Sequence, residues 1–152
     1  MMEALTFKVR EFDELTTREL YEIARARTEV FLMEQRIVCR DLDGEDYHAL
    51  HCFLEDKNGT VMAYLRAMVA TDRPDAVQIG RVLSRTRGVG LGKHLMLQSM
   101  PEIAKRRACR RLLLHAQCHA QGFYEKLGFA VTSPEFLEEG IPHVTMEKEM
   151  TV

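Results

Sequence analysis

The segment from Arg87 to Gly92 constrains this chain more than any other, because three glycines fall there on alternate residues. It joins an apolar, strand-like run to a pattern with helical spacing. Glycines let backbone N–H groups turn toward one point, and a helix N-terminus adds unpaired donors and partial positive charge. Arg87 and Lys93 flank the segment with full charges. The pattern predicts a phosphate site between a strand and a helix; the alternative is a glycine-rich connection that binds nothing.

Two other glycine motifs do not fit this segment. A P-loop needs a glycine five residues before its Gly-Lys pair and a Ser or Thr after that pair, but Arg87 and His94 stand at those positions. A dinucleotide-binding fingerprint would need a further glycine at Lys93 or Leu95. The pattern that remains is R-x-x-G-x-G, formed by Arg87 and the last two glycines of the segment.

Periodicity and turn residues predict the other elements. Thr16 and Glu19 fit a capping box that opens a helix, Asn58-Gly59 predicts a hairpin turn, and Pro101 should kink the helix that contains it. A further turn is predicted at 73–75 and a loop at 134–140. The predicted strands are 5–9, 48–55, 60–70, 76–84, 111–116, 129–132 and 143–150, and the predicted helices are 16–35, 91–106 and 120–127. These elements predict one α+β domain over residues 1–152, with a mostly antiparallel sheet and one strand–loop–helix–strand crossover.

The composition restricts the classes of partner. A net charge of -2 gives no reason to expect nucleic acid or an anionic membrane. No run approaches the roughly 18 apolar residues of a membrane-spanning helix, and no secretory signal is visible at the start of the sequence. The four cysteines form no C-x-x-C pair, which favours reduced thiols over a disulfide framework or a zinc site. We therefore expect a cytoplasmic protein without a metal.

Together with a second motif, the glycine segment resembles the GNAT superfamily of N-acetyltransferases. A Phe123-Tyr124 pair is followed by Leu-Gly-Phe at 127–129, about thirty residues after the first motif. Further stretches resemble the ElaA-like branch, so that the resemblance spans nearly the whole chain; they are 30–31, 34–35, 41–46, 79–82, 116–117, 140–143 and Met146. The resemblance implies a GNAT fold, in which a single mixed sheet has helices on both faces and two central parallel strands splay apart.

The resemblance also implies an activity, the transfer of an acetyl group from acetyl-CoA to a primary amine by direct attack in a ternary complex. Tyr124 would protonate the leaving thiolate, unless its hydroxyl is tied to the backbone. The implied coenzyme-binding residues are Val82, Leu83, Ser84, Arg87, Gly88, Val89, Gly90, Leu91, Gly92, Lys93, Gln117 and Phe123. The link at 83–86 is shorter than is common in the family, which leaves open which strand amides meet the acetyl group. A non-catalytic acyl-CoA sensor is the alternative.

The attacking amine must be neutral, so a base is needed. The candidates are Glu34, His51, His115 and His143, of which Glu34 is assigned here as the catalytic residue because it ends an apolar helix segment. The alternative is that Glu34 is an ordinary solvent-exposed residue at the end of the helix. Phe31, Gln35, His51 and His143 are assigned to the acceptor. The acceptor, a small-molecule or peptide amine, cannot be named from the sequence, and the protein is expected to be a monomer or homodimer.

The acidic run at 41–46 is the remaining feature. It lacks the spacing of a calcium loop, because its glycine comes too early and Cys52 stands where the closing acidic residue belongs. It is predicted to be a solvated turn, or a negative rim that attracts a cationic amine. Cys118 lies near histidines in the sequence, but strand neighbours alternate faces, so a role as nucleophile is not supported.

Overall fold

The computed structural model describes residues 4–151, so the ends of the predicted domain, 1–3 and 152, lie outside it. Eight strands form one sheet in the order β1-β2-β3-β4-β5-β8-β6, and β7 pairs with β8. The strands are β1 Thr6–Glu11, β2 Leu50–Glu55, β3 Val61–Ala70, β4 Arg73–Ser84, β5 Arg111–Gln117, β6 Ala130–Val131, β7 Phe136–Glu138 and β8 Ile141–Glu149. Only β4 and β5 run parallel among the pairs described; the other pairs are antiparallel. The mixed, mostly antiparallel sheet confirms the predicted fold class.

The parallel pair opens along its length. β4 and β5 pair from Ala76 opposite Arg111 to Ile79 opposite Leu114, and both strands then continue without pairing to each other. The separation begins at a β-bulge, where β4 carries one residue more than β3 between Gly80 and Leu83. Arg81 within the bulge has a φ of 54°, the left-handed region that non-glycine residues rarely occupy. The bulge bends β4 away from β5 and leaves a gap in the middle of the sheet.

Helices cover both faces of the sheet. α1 (Thr17–Arg27) and the π-helical segment Thr28–Glu34 pack on one face, and α2 (Leu91–Arg107) with the short α3 (Gln121–Lys126) packs on the other. The larger core lies under α2, where Leu95, Met96 and Ile103 are fully buried. The smaller core lies under α1, where Ile23 and Val30 meet β3. Two apolar layers therefore hold the gap between β4 and β5 in place.

The first helix extends to Glu34, close to the predicted bound, but after α1 it widens into a π-helix, in which Gln35 N–H donates to Val30 C=O. Two other local predictions are wrong. The turn predicted at 73–75 lies instead between Ala70 and Arg73, which pair with each other. The predicted loop at 134–140 contains β7, because its residues pair with β8.

Pro101 lies inside α2 without ending it. It cannot donate to the carbonyl of Leu97, four residues earlier. Leu97 is half exposed and Pro101 is exposed, so water can reach that carbonyl. The solvent-facing position explains why the helix continues through a residue predicted to kink it. Among residues 4–151, no helix combines the length and apolar character needed to cross a bilayer.

Candidate active site

The glycine segment folds as a loop that ends in the N-terminus of α2. Gly88 and Gly90 both have φ of 78°, and Gly90 is the N-cap of the helix. A Cβ built on either glycine would meet no atom within 4 Å. The first helical N–H with a backbone acceptor belongs to His94, which donates to Gly90 C=O. The N–H groups at the start of α2 are therefore available to a ligand, and the open space beside the glycines fits the diphosphate predicted there.

Side chains around this loop divide into anchors and exposed charges. Leu91 is buried in the larger core and fixes the helix start. Gly92 lies against Phe123, whose Cζ would be 3.4 Å from a Cβ at that position. Arg87 and Lys93 are exposed, and Val89 is 44% exposed. The loop thus presents backbone donors with positive charges on either side.

The gap between β4 and β5 exposes specific backbone groups. Arg85 N–H donates to Met62 C=O on β3. Successive residues of a strand point their backbone groups in opposite directions, so Ser84 and Val82 direct their N–H groups into the gap, whereas Leu83 directs its own toward β3. The Leu83 side chain is buried in the smaller core. The backbone N–H groups of Val82 and Ser84 thus face the gap, whereas that of Leu83 faces β3. We therefore leave Leu83 out of the coenzyme site.

A cavity of about 520 Å³ passes through this gap. One end is lined by Ala120 and Tyr124, on the face that carries α2 and α3. The other end opens on the face that carries α1, where the lining includes Phe31, Arg66, His115, Gln117, Glu138 and His143. Val82 and Gly80 line the passage between the two ends. The cavity thus connects the two faces of the sheet at the place where β4 and β5 separate.

Tyr124 lies at the α3 end of this cavity. Its ring packs edge-on against Phe123 and Phe129, with centroids 5.0 and 6.0 Å away. Only 8% of the residue is exposed, and no hydrogen bond from its hydroxyl is found to any residue in the range 4–151. Burial raises the pKa of Tyr124 to about 12. The phenol is therefore neutral at physiological pH, and its proton is not engaged by the backbone.

Three polar side chains meet at the opposite end of the cavity. His115 Nδ1 lies 2.8 Å from Glu138 Oε1. His143 Nδ1 lies 2.7 Å from the carbonyl oxygen of Ile141, and its Nε2 lies 3.6 Å from Glu138 Oε2. His143 is only 6% exposed, and its ring stacks on Phe136. The arrangement holds two imidazoles around one carboxylate.

The acidic run is not a solvated turn, contrary to the prediction. Its aspartates bind three arginines that reach it from α1, β3 and β4. Arg27, 1% exposed, binds Asp41 and Asp46; Arg66, 4% exposed, binds Asp43 and Asp46; and Arg81 binds Asp41 and Asp43. Three arginines thus balance the three aspartates, and Glu45 is the acidic residue of the run that stays exposed outside the network.

Hydrogen bonds with Arg66 are the largest cause that lowers the pKa of Asp43 well below its usual range. Arg81 Nε lies 2.8 Å from Asp41 Oδ1, although the angle is poor for a hydrogen bond and the contact is mainly electrostatic. Within residues 4–151, no three His, Cys, Asp or Glu side chains are grouped as a metal site would require. Asp41, Arg66 and Arg81 of this network line the cavity, so the network forms part of its wall.

Three residues assigned from the sequence lie away from the cavity. Glu34 and Gln35 are exposed, and Glu34 Oε1 lies 3.4 Å from Arg87 Nη2. His51 is buried between the hydroxyl of Tyr64, at 2.6 Å, and the carbonyl oxygen of Asp46, at 2.9 Å. Burial is the main cause that lowers the pKa of His51. We therefore leave Glu34, Gln35 and His51 out of the catalytic and acceptor site.

Comparison with known proteins decides the family. The family model described as "Acetyltransferase (GNAT) domain" matches residues 25–150. The chain belongs to the GNAT acetyltransferase family. The range matched includes the glycine loop, the gap and Tyr124 of this GNAT domain.

Relatives place this GNAT domain in the ElaA-like branch. It is 33% identical over 140 residues to protein ElaA of Escherichia coli, an alignment that covers 90% of this chain and 92% of the relative. It is also 36% identical over 153 residues to a UPF0039 protein of Schizosaccharomyces pombe, covering 98% of this chain and all of the relative. The coverage shows that the similarity is not confined to the glycine loop.

Solved structures agree with this assignment. The crystal structure of E. coli ElaA matches with a TM-score of 0.87 and 30% identity, covering 96% of this chain and 100% of that one. An acyl-CoA N-acyltransferase from Pseudomonas aeruginosa also matches with a TM-score of 0.87, at 33% identity, covering 95% of this chain and 99% of that one. The GNAT domain described here thus shares its fold and sequence with these proteins, which supports acyl transfer in general as its activity.

Sequence reasoning missed Glu138 because it fell in a predicted loop. Glu139 and Gly140 have φ of 51° and 73°, which form the two-residue hairpin turn between β7 and β8. The sequence offers one signal: the apolar pair Phe136-Leu137 stands shortly before Glu139-Gly140, a residue pair that ends in glycine. Interpreting that pair as a hairpin turn would have placed Glu138 beside β8 and near His143.

Proposed function

We propose that this protein is an N-acetyltransferase that transfers an acetyl group from acetyl-CoA to a primary amine by direct attack in a ternary complex. One observation carries the proposal. Residues of both faces of the sheet line one cavity beside the gap between β4 and β5, with Tyr124 on the α3 face and Arg66, His115 and His143 on the α1 face. An acyl donor and an acceptor can therefore enter from opposite faces and meet in the gap.

The diphosphate of the coenzyme would bind the amides at 88–92, with Arg87 and Lys93 adding charge. The pantetheine would lie in the gap, along the unpaired edge of β4 and beside Gln117 and Phe123. The Arg85–Met62 hydrogen bond and the alternation along the strand support N–H groups of Val82 and Ser84 that point into this space. A donor already aimed at the thioester oxygen stabilises the negative charge that develops there.

Tyr124 is suited to protonate the leaving thiolate. The phenol remains neutral because burial raises its pKa, and no protein acceptor within residues 4–151 competes for its proton. General acids of this kind typically contribute about 10²–10⁴-fold to the rate. The packing of the ring against Phe123 and Phe129 restricts its orientation at the edge of the cavity.

A non-catalytic acyl-CoA sensor would need the glycine loop but not the cleft on the α1 face. A screen of primary amines with acetyl-CoA, in which free coenzyme A thiol is measured, tests the enzyme directly. We expect release of thiol that depends on both the amine and the protein, with the acetylated amine found by mass spectrometry. Tight acetyl-CoA binding without transfer to any amine would favour the sensor, and absence of binding would reject both functions.

A further inference from the structure

Strand register brings the three polar groups of the cleft to one face. β5 and β8 pair with Gln117 opposite His143, so His115 and His143 point the same way. β7 and β8 pair with Phe136 opposite His143 and Glu138 opposite Ile141, so Glu138 shares that face. Three separate strands therefore supply one cluster of titratable groups, which line the cavity described above.

The hydrogen bond to Ile141 determines which ring nitrogen carries the proton when His143 is neutral. A carbonyl oxygen can only accept, so Nδ1 carries the proton and donates at 2.7 Å. Nε2 then holds a lone pair, and it faces Glu138 Oε2 at 3.6 Å, beyond hydrogen-bond distance. Two acceptors thus face each other, one on the buried ring of His143 and one on the exposed carboxylate of Glu138. A cationic N–H group is the chemistry that satisfies both.

The other charged side chains that line the cavity favour a cation beside His143 and Glu138. The charged groups that line the cavity besides Glu138 are Arg40, Asp41, Arg66, Arg81 and Glu139. Arg66, Arg81 and Asp41 are already engaged in the arginine–aspartate network. Glu138 and Glu139 therefore make the wall formed by β7 and the turn after it negative, and Arg40 is the lining cation that takes no part in the network. An ammonium group is drawn to the wall that carries His143.

We propose that the acceptor binds as an alkylammonium ion between His143 Nε2 and Glu138 Oε2, and that His143 removes the proton that makes the amine nucleophilic. This inference rests on the proposed function and adds the substrate class, a basic primary alkylamine. Glu138 stabilises the imidazolium that forms. His115, whose Nδ1–H donates to Glu138 at 2.8 Å, is a positioning residue.

The proton balance is complete without a further reactant. The ammonium gives one proton to His143 Nε2, and the neutral amine forms a C–N bond to the acetyl carbon as the C–S bond breaks. Tyr124 protonates the thiolate and recovers a proton from the nitrogen of the new amide. His143 then releases its proton to water. The net products are the N-acetylamine, coenzyme A thiol and one proton.

The kinetic test compares two amines with different charge. Butylamine is a cation at pH 7, whereas methoxyamine is neutral there and needs no base before it attacks. For His143→Gln we expect kcat/KM to fall by about 10²–10⁴-fold with butylamine, and by less than about tenfold with methoxyamine (RT ln 10, about 1.4 kcal/mol). His48→Gln, an exposed histidine outside the cavity, is the matched control and should match wild type. Equal losses with both amines would overturn the role of His143 as base.

Glu138 and His115 are tested in the same way. Glu138→Gln should raise KM for butylamine more than KM for methoxyamine, because it removes the negative charge that attracts a cation. His115→Ala should lower kcat for butylamine, and His115→Asn, whose side-chain amide can replace the Nδ1–H donor to Glu138, should restore part of that loss. Identical effects on the two amines would show that these residues are merely structural.

A second measurement on the wild-type protein needs no turnover. Nitrogen NMR of the ring of His143 should show a protonated Nδ1 and an Nε2 with a lone pair, and butylammonium added without acetyl-CoA should shift the Nε2 signal. A protonated Nε2, or no response to butylammonium, refutes the inference whatever the enzyme does. If the tautomer and the response are as expected but no amine is acetylated, the proposed function fails while the cation site stands.

Discussion

Removing the hydroxyl of Tyr124 should separate catalysis from binding and folding. In Tyr124→Phe the ring keeps its edge-on contacts with Phe123 and Phe129. Within residues 4–151 the hydroxyl makes no hydrogen bond that would be lost. The free energy of unfolding should therefore change by less than about 1 kcal/mol. The fall in kcat should be about 10²–10⁴-fold, which is about 2.7–5.5 kcal/mol of transition-state stabilisation.

The assay combines thiol release at saturating acetyl-CoA, calorimetric affinity for acetyl-CoA and thermal unfolding. Affinity should change by less than about threefold, or about 0.7 kcal/mol, because the diphosphate site is untouched. Tyr21→Phe, on the exposed side of α1, is the matched control and should leave all three values unchanged. A Tyr124→Phe enzyme with kcat within threefold of wild type would remove the general acid from the mechanism.

Three further predictions concern other parts of the chain. Gly90→Ala and Gly44→Ala should each lower the free energy of unfolding by about 1 kcal/mol, because both glycines have positive φ and open surroundings. Only Gly90→Ala should also weaken acetyl-CoA binding, by about tenfold or more in calorimetry. The pKa of Asp43 is lowered in the folded state, mainly by its hydrogen bonds with Arg66. The ionised carboxylate therefore stabilises the fold at any pH above the pKa that Asp43 has in the unfolded chain. That stabilisation is lost as the pH falls through the lower pKa of the folded state. Asp43→Asn should thus lower the urea midpoint at pH 7 and flatten its decline below about pH 4. Pro101→Ala should raise the free energy of unfolding by about 1–3 kcal/mol by restoring a helical hydrogen bond.

Each of these predictions has an opposing outcome. Equal loss of acetyl-CoA affinity in both glycine variants would mean that the loop acts through stability rather than through contact with the diphosphate. An acid-unfolding curve of Asp43→Asn parallel to that of the wild type would show that the ion pair with Arg66 contributes no pH dependence. A lower unfolding free energy in Pro101→Ala would show that the ring makes packing contacts worth more than the missing hydrogen bond.

Local signals in the sequence predicted the elements whose causes are local. The capping box at Thr16 and Glu19 forms as expected, with Glu19 N–H donating to Thr16 Oγ1. Gly59 has the positive φ that the turn between β2 and β3 requires. The glycine loop precedes α2 as predicted. In these places the residues that cause the structure are neighbours in the chain, so one sequence is enough.

The parts that could not be predicted depend on distant contacts. The acidic run was interpreted as solvated because its partners, Arg27 and Arg66, lie on other elements and are far away in sequence. Glu34 was favoured as a base from its apolar neighbours, yet the wide π-helical turn ends with it in solvent. Which amides face the gap depends on the register between β3 and β4, fixed by a bulge at Arg81. Such features follow from pairing between strands, which periodicity alone does not specify.

A crystal structure of the protein with acetyl-CoA tests the central claim most directly. The account predicts diphosphate oxygens within about 3.2 Å of amide nitrogens in the segment 88–92. It also predicts that the thioester lies between β4 and β5, with its oxygen toward the N–H of Val82 or Ser84 and its sulfur near the hydroxyl of Tyr124. A coenzyme bound elsewhere on the surface, with the gap between β4 and β5 left empty, would contradict the account.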